Sequence, residues 1–169
     1  MSRTSFKEHN CSLARTVDLL GDPWMLLILR DSFYGSTTFS EFQKGLNVAR
    51  NVLSDRLERL VTAGVLEKRP TRPGVERYTY HRTPRGDELF PLMVTLLQWG
   101  DRWLSGPEGV PVKIVDAESR APVQEMVVIS RDGRHLRPED SRIEPGPGAG
   151  PHLLKVFAYF KNKRREAGS

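Results

Sequence analysis

Arg50, Asn51, Ser54 and Asp55 fall within six consecutive positions. An arginine can set two parallel N–H donors against guanine O6 and N7, and an asparagine matches the acceptor and donor of adenine. A serine hydroxyl bonds a base or a phosphate. An aspartate either accepts from cytosine or holds Arg59, its neighbour four residues on. If Ala49 is the N-cap of a helix whose Leu53, Leu57 and Leu60 turn inward, all four side chains face outward from its first turns. Thr38 and Ser40, just upstream, suit phosphate contact. Arg69, Arg72 and Arg77 surround a turn further on, with Arg72 at its tip. Arg56 and Arg59 either join this surface or form ion pairs with Glu58 or Glu41.

The chemistry these residues suggest is recognition, not turnover. His9, His81, His135 and His152 are scattered, and no nucleophile–base pair or metal-ligand spacing occurs. No enzyme, cofactor or metal is expected. Cys11 is the single cysteine, which excludes an internal disulfide and a cysteine-rich zinc site.

Charge supports an anionic partner. The chain has 169 residues and a net charge of +5. From Lys44 to Arg85 there are ten bases and four acids, a net of +6 that exceeds the total. Nucleic acid leads among partners for such a block. Hydrophobic residues make up 38% and charged residues 28%, too apolar for a disordered chain. No stretch approaches the roughly 18 to 20 apolar residues of a membrane span, and the N-terminus has no signal-peptide core. An intracellular, cytoplasmic protein is expected.

Periodicity supplies the elements that must hold these residues. Residues 1–10 read as a loose polar arm. Leu13, Val17 and Leu20 recur at helical spacing until Gly21. Asp22-Pro23 starts a second helix through an N-cap and a proline in its first turn, running to Phe33 and closed by Gly35. Thr38 and Ser40 open a third, with Ser40 and Gln43 as a capping box and Gly45 as its end. A fourth runs from Arg50 to Ala63. The period then changes to two: Val65–Arg69 and Glu76–Tyr80 read as strands around the turn Pro70–Gly74. Thr83-Pro84 starts a helix extending to Trp103, too apolar for a solvated one, with Trp24, Trp99 and Trp103 assigned to the core or a dimer contact. This order of helices, strand, turn, strand and helix is a winged helix-turn-helix pattern, which holds the fourth helix proud of the surface for the DNA major groove.

The segment Cys11–Arg30 (CSLARTVDLLGDPWMLLILR) resembles the opening of the HxlR winged-helix transcription regulators. Phe39-Ser-Glu-Phe42, Leu53–Leu60, Ala63–Leu66, Tyr78–Gly86 and Gln98-Trp99-Gly100 continue the resemblance in order. It implies cytoplasmic regulators that bind double-stranded DNA as homodimers, with the helix from Thr83 to Trp103 and the N-terminal helix as the dimer contact. Two-fold symmetry then implies a pseudo-palindromic operator. In several members a cysteine at the place of Cys11 senses electrophiles or oxidants; here it is either such a sensor or a small residue packed on the dimer helices.

The expected organisation is α+β. Residues 1–105 form the winged-helix DNA-binding and dimerisation domain, and residues 106–169 a small β-hairpin-rich extension. Val110–Val115 and Val123–Ser130 read as strands, Asp132-Gly133 as a hairpin turn, 145–151 as a linker and Leu153–Lys163 as an amphipathic helix. The resemblance suggests a zinc ribbon on some members, but without cysteines these hairpins must be held by Val, Ile and Met packing. The cluster Lys161–Arg165 is a phosphate contact or a solvated tail. The reading reached is a repressor, with Cys11 as its possible redox or electrophile input. The alternative input is a small-molecule metabolite bound by the extension or the dimer contact. A protein-interaction module and an enzyme are the rivals to DNA binding.

Overall fold

The computed structural model describes residues 5–72, 74 and 76–167, with backbone only for 164–167. Residues 1–4 of the expected arm, Pro73 of the expected turn and the side chains of Arg164 and Arg165 lie outside this set. The chain divides into two compact units, one of residues 19–126 and one of residues 1–18 with 127–169.

In the first unit, Asp22 caps α2 (Pro23–Phe33) by accepting the Trp24 amide at 3.0 Å. α3 (Phe39–Leu46) follows, then α4 (Arg50–Thr62). Met25, Ile28 and Leu29 of α2, Phe42 of α3, and Leu53, Leu57 and Leu60 of α4 are fully buried in one core. The inward face expected for the fourth helix is therefore the observed one. Val65 and Leu66 close this core beneath β1 (Leu66–Pro70), which pairs antiparallel with β2 (Tyr78–Arg82) in the register Lys68↔Tyr80. The Tyr80 amide also donates to the Thr37 carbonyl at 2.7 Å, and Thr38 bridges Thr79. The wing is thereby fastened to the residues that cap α3.

Several expected boundaries move. Thr38, not Ser40, caps α3, and Glu41, not Gln43, completes the capping box. The Thr38 hydroxyl accepts the Glu41 amide, and the Glu41 carboxylate accepts the amides of Thr37 and Thr38, both at 2.8 Å. Gly45 does not end α3 but lies within it, where a Cβ would come 2.7 Å from Asp31 Oδ2. The stop is Asn47 in the left-handed region. Both strands start later than expected; for β1 the reason is that the Val65 amide still bonds the Leu60 carbonyl and finishes the helix end.

The expected helix from Thr83 splits into α5 (Pro84–Asp87) and α6 (Phe90–Leu104). Pro91 has no N–H to offer the carbonyl of Asp87, so a continuous helix fails there. Gly86 lies against the Val65 carbonyl, which a Cβ would approach to 2.3 Å. Beyond α6, Val110–Val115 and Val123–Ser130 are not full strands. Val115 bridges Pro122, and the Gln98 side-chain amide clasps the later segment, donating to the Gln124 carbonyl at 3.0 Å and accepting the Met126 amide at 2.8 Å.

The second unit holds most of α1 (Ser12–Leu20), the two-residue strands β3 (Val128–Ile129) and β4 (His135–Leu136), a 3-10 turn (Pro138–Asp140) and α7 (Pro151–Ala167). Val127, Val128 and Ile129 are exposed. The hairpin is held at its turn instead, where the Ser130 hydroxyl accepts the Arg134 amide and Asp132 pairs with Arg134. Helix α7 already begins at Pro151, inside the expected linker. Residues 5–10 are not a loose arm: the Phe6 amide bonds Asp18, and the Asn10 side chain clasps Gly148 and Gly150.

Candidate nucleic-acid interface

The first turn of α4 is shaped by what it lacks. Ala49 at the N-cap offers no side-chain acceptor, so the first amides of the helix have no local partner and point outward. No acid lies in this turn, and the helix dipole adds positive potential there. Arg50, Asn51, Ser54 and Asp55 are all exposed beside it. The outward row expected from the sequence is present, with the leucines beneath it.

The four residues differ in freedom. Arg50 forms no ion pair among the described residues; its guanidinium lies 5.2 Å from the ring centroid of Phe39, the first residue of α3. Asp55 takes Arg56 Nη1 at 2.7 Å. Arg56 in turn reaches Asp22 with Nη2 at 2.7 Å and Nε at 3.2 Å. For Arg56 the expected partners Glu58 and Glu41 are therefore replaced by Asp22 and Asp55. The Arg56–Asp22 pair is partly shielded from water and ties α4 to the cap of α2.

Burial pushes the Asp22 carboxyl up, but the Arg56 hydrogen bond and the Trp24 amide outweigh it and hold the group below its ordinary value. The Thr37 and Thr38 amides hold Glu41 below its ordinary value too. Both carboxylates are charged anchors of the helix-turn-helix, Asp22 partly buried and Glu41 exposed but bonded to the backbone that starts α3.

Thr38 is half-buried with its hydroxyl engaged as a cap, whereas Ser40 is exposed, 3.2 Å away from it oxygen to oxygen. Ser40 thus has more freedom to meet a phosphate. On the wing, Arg69 is paired with Glu67. Arg72 and Arg77 are exposed and form no ion pair among the described residues. Lys68, not singled out from the sequence, lies 4.2 Å from the ring centroid of Tyr78. Strand register was the signal that could have found it: Lys68 opposes Tyr80, so Tyr78 is its diagonal neighbour on the same face.

Cys11 is exposed, and its carbonyl accepts the Arg15 amide at 3.1 Å, which places it at the N-cap of α1. Among the described residues no cluster of three or more His, Cys, Asp or Glu side chains is placed to hold a metal ion. No helix among them is long and apolar enough to cross a membrane.

The family model for the HxlR-like helix-turn-helix matches residues 19–108. An HTH-type transcriptional regulator of Mycobacterium tuberculosis is 35% identical over 148 residues, which is 88% of this chain and 94% of that relative. The crystal structure of the transcription factor PA1607 superposes with a TM-score of 0.79 at 40% identity, covering 85% of this chain and all of that one. The transcription factor PA1374 of Pseudomonas aeruginosa superposes with a TM-score of 0.61 at 32% identity, covering 86% and 99%. The chain belongs to the HxlR-like helix-turn-helix family. It is a transcriptional regulator with a winged helix-turn-helix DNA-binding fold.

Proposed function

We propose that the protein is a cytoplasmic repressor that binds a pseudo-palindromic operator as a homodimer. Residues 1–105 carry recognition and pairing, and residues 106–169 are an accessory extension. The observation that carries the reading is the exposed first turn of α4, free of acids and of a side-chain cap, with Arg50 and Asn51 outermost. A helix N-terminus of this kind accepts a phosphate on its free amides while its side chains reach base edges. Arg50 reads guanine, Asn51 adenine, and Ser54 a base or phosphate. Ser40, Thr38, Arg72 and Arg77 hold the backbone. Asp55 acts through Arg56, and Arg69 contributes once its pair with Glu67 opens.

Pairing is supported by α6. Leu92, Leu96, Trp99 and Trp103, spaced four, three and four apart, are 37%, 43%, 55% and 66% exposed. So regular an apolar stripe suits a second helix of the same kind. In α1, Leu13 and Val17 are exposed as well.

The test is a polarisation titration against the DNA upstream of the protein's own gene and against a duplex obtained by random-site selection. It is run at two salt concentrations, with and without diamide, on wild type, Arg50→Ala and Cys11→Ser. The expected result is saturable, salt-dependent binding, weakened by Arg50→Ala by about five- to a hundredfold. Absence of sequence-selective binding on both duplexes overturns the reading and favours a protein partner. The place of Cys11 at an exposed helix N-cap supports a thiol input. Release by diamide in wild type but not in Cys11→Ser is the result expected of it, and equal behaviour of the two removes it.

A further inference from the structure

We infer that Phe39 is the positioning residue for Arg50, and that through it the first residue of α3 sets how sharply the protein discriminates at the base Arg50 reads. The inference rests on the proposed reading of α4 as the base-contacting helix. It starts from a contrast among the arginines. Arg30, Arg56, Arg69, Arg82 and Arg102 are each drawn to an acid. Arg50 is not, and its guanidinium carbon lies over the Phe39 ring at 5.2 Å.

The two ways of holding an arginine differ in what they leave free. A carboxylate takes the N–H edge and places a negative charge where a phosphate or guanine must come. An aromatic face attracts the flat of the guanidinium and leaves its five edge donors unused. Phe39 therefore narrows the rotamers of a long side chain without competing for the hydrogen bonds that carry recognition. Less ordering is then left to the moment of binding.

Phe39 can do this because it is itself held. It is half-buried, with part of its ring packed on the core. It follows directly on Thr38, whose capping box with Glu41 fixes the start of α3. The strand bond from Tyr80 to Thr37 fixes the residue before that. The ring thus stands on a rigid mount beside the start of α4.

The experiment uses the full chain and a duplex recovered by random-site selection. Wild type, Phe39→Leu, Phe39→Tyr, Arg50→Ala and the double variant Phe39→Leu/Arg50→Ala are titrated on that duplex. Duplexes changed at the base pair to which Arg50→Ala has lost sensitivity are titrated in parallel, as is non-specific DNA. Phe39→Leu is expected to weaken operator binding by about three- to tenfold, the range of a partly exposed cation–π contact. Discrimination at that base pair falls by the same factor, with the salt slope unchanged because no phosphate contact is removed. Phe39→Tyr, which keeps the ring, restores both, and Phe39→Leu costs nothing further in the Arg50→Ala background. A purely structural Phe39 gives equal losses in both backgrounds and on every sequence, with a lowered thermal midpoint, and that outcome overturns the inference. So does full discrimination in Phe39→Leu. If Arg50→Ala changes no base preference while wild type still selects a sequence, the assignment of Arg50 as reader has failed, and the inference falls with it.

Discussion

Asp22 does two things with two oxygens. Oδ1 caps α2 through the Trp24 amide, and Oδ2 takes two bonds from Arg56 on α4. Asp22→Asn keeps a capping oxygen but loses the ion pair, leaving a partly shielded guanidinium with Asp55 alone. The expected cost at neutral pH is about 1 to 2 kcal/mol, read from urea unfolding. The pH dependence follows from the direction of the shift. The folded carboxyl lies below its ordinary value, so the unfolded chain takes up the proton first as pH falls. The advantage of wild type over Asp22→Asn is complete above the ordinary value of 3.8 and disappears as pH falls through the folded one. A constant difference between the two proteins across that range would contradict the pairing. The role of Asp22 as a cap was legible from Asp-Pro alone. Its partner was not, because 34 residues separate it from Arg56 and only the packing of α2 on α4 brings them together.

Among the elements, α2 and α4 were readable because their apolar spacing and their ends agree. The wing and the helix after it were readable in kind but not in extent. Val65 looks like strand from its side chain, yet its amide is spent on the end of α4. Pro91 divides what the apolar pattern joins. Three residues after a plausible Ser40 cap stands Gln43, while the same distance after Thr38 stands Glu41; both pairs fit the motif, and the bond from β2 to Thr37 favours the second. The extension was read least well, because its short strands are fixed by turn hydrogen bonds, and residues 124–126 by the Gln98 clasp, and neither leaves a periodic trace. Close packing at this level also gives a sharp test. Gly86 stands where α5 passes the Val65 carbonyl, and a Cβ there would meet backbone, which cannot swing aside. Gly86→Ala is expected to cost about 1 to 3 kcal/mol, as forced overpacking does, with the thermal midpoint lowered. An unchanged midpoint would show that α5 can shift freely against the wing root.

For the molecule as an assembly, the stripe on α6 makes a separable claim. Trp99 is more than half exposed, so it adds little to the core of one chain. Trp99→Lys is expected to leave thermal unfolding of the single chain nearly unchanged while lowering the sedimentation mass to that of a monomer. Operator affinity then falls at least about tenfold, since the two half-sites are no longer linked. A dimer that survives this change would place the pairing surface elsewhere. The tryptophans were legible in the sequence as core or contact, and their exposure takes Trp99 and Trp103 out of the core.

The Asn10 clasp has a mechanical meaning. Its side-chain amide accepts the Gly150 amide across 140 positions of sequence and donates to the Gly148 carbonyl across 138. The stretch between, which includes all of residues 19–126, is a closed ring as far as tension is concerned. A load applied at the two ends of the chain runs through the clasp and does not enter the helix-turn-helix until the clasp parts. Pulled in this way, the protein gives way first where its ends are tied, and the DNA-reading unit bears force only afterwards, as a second and separate event.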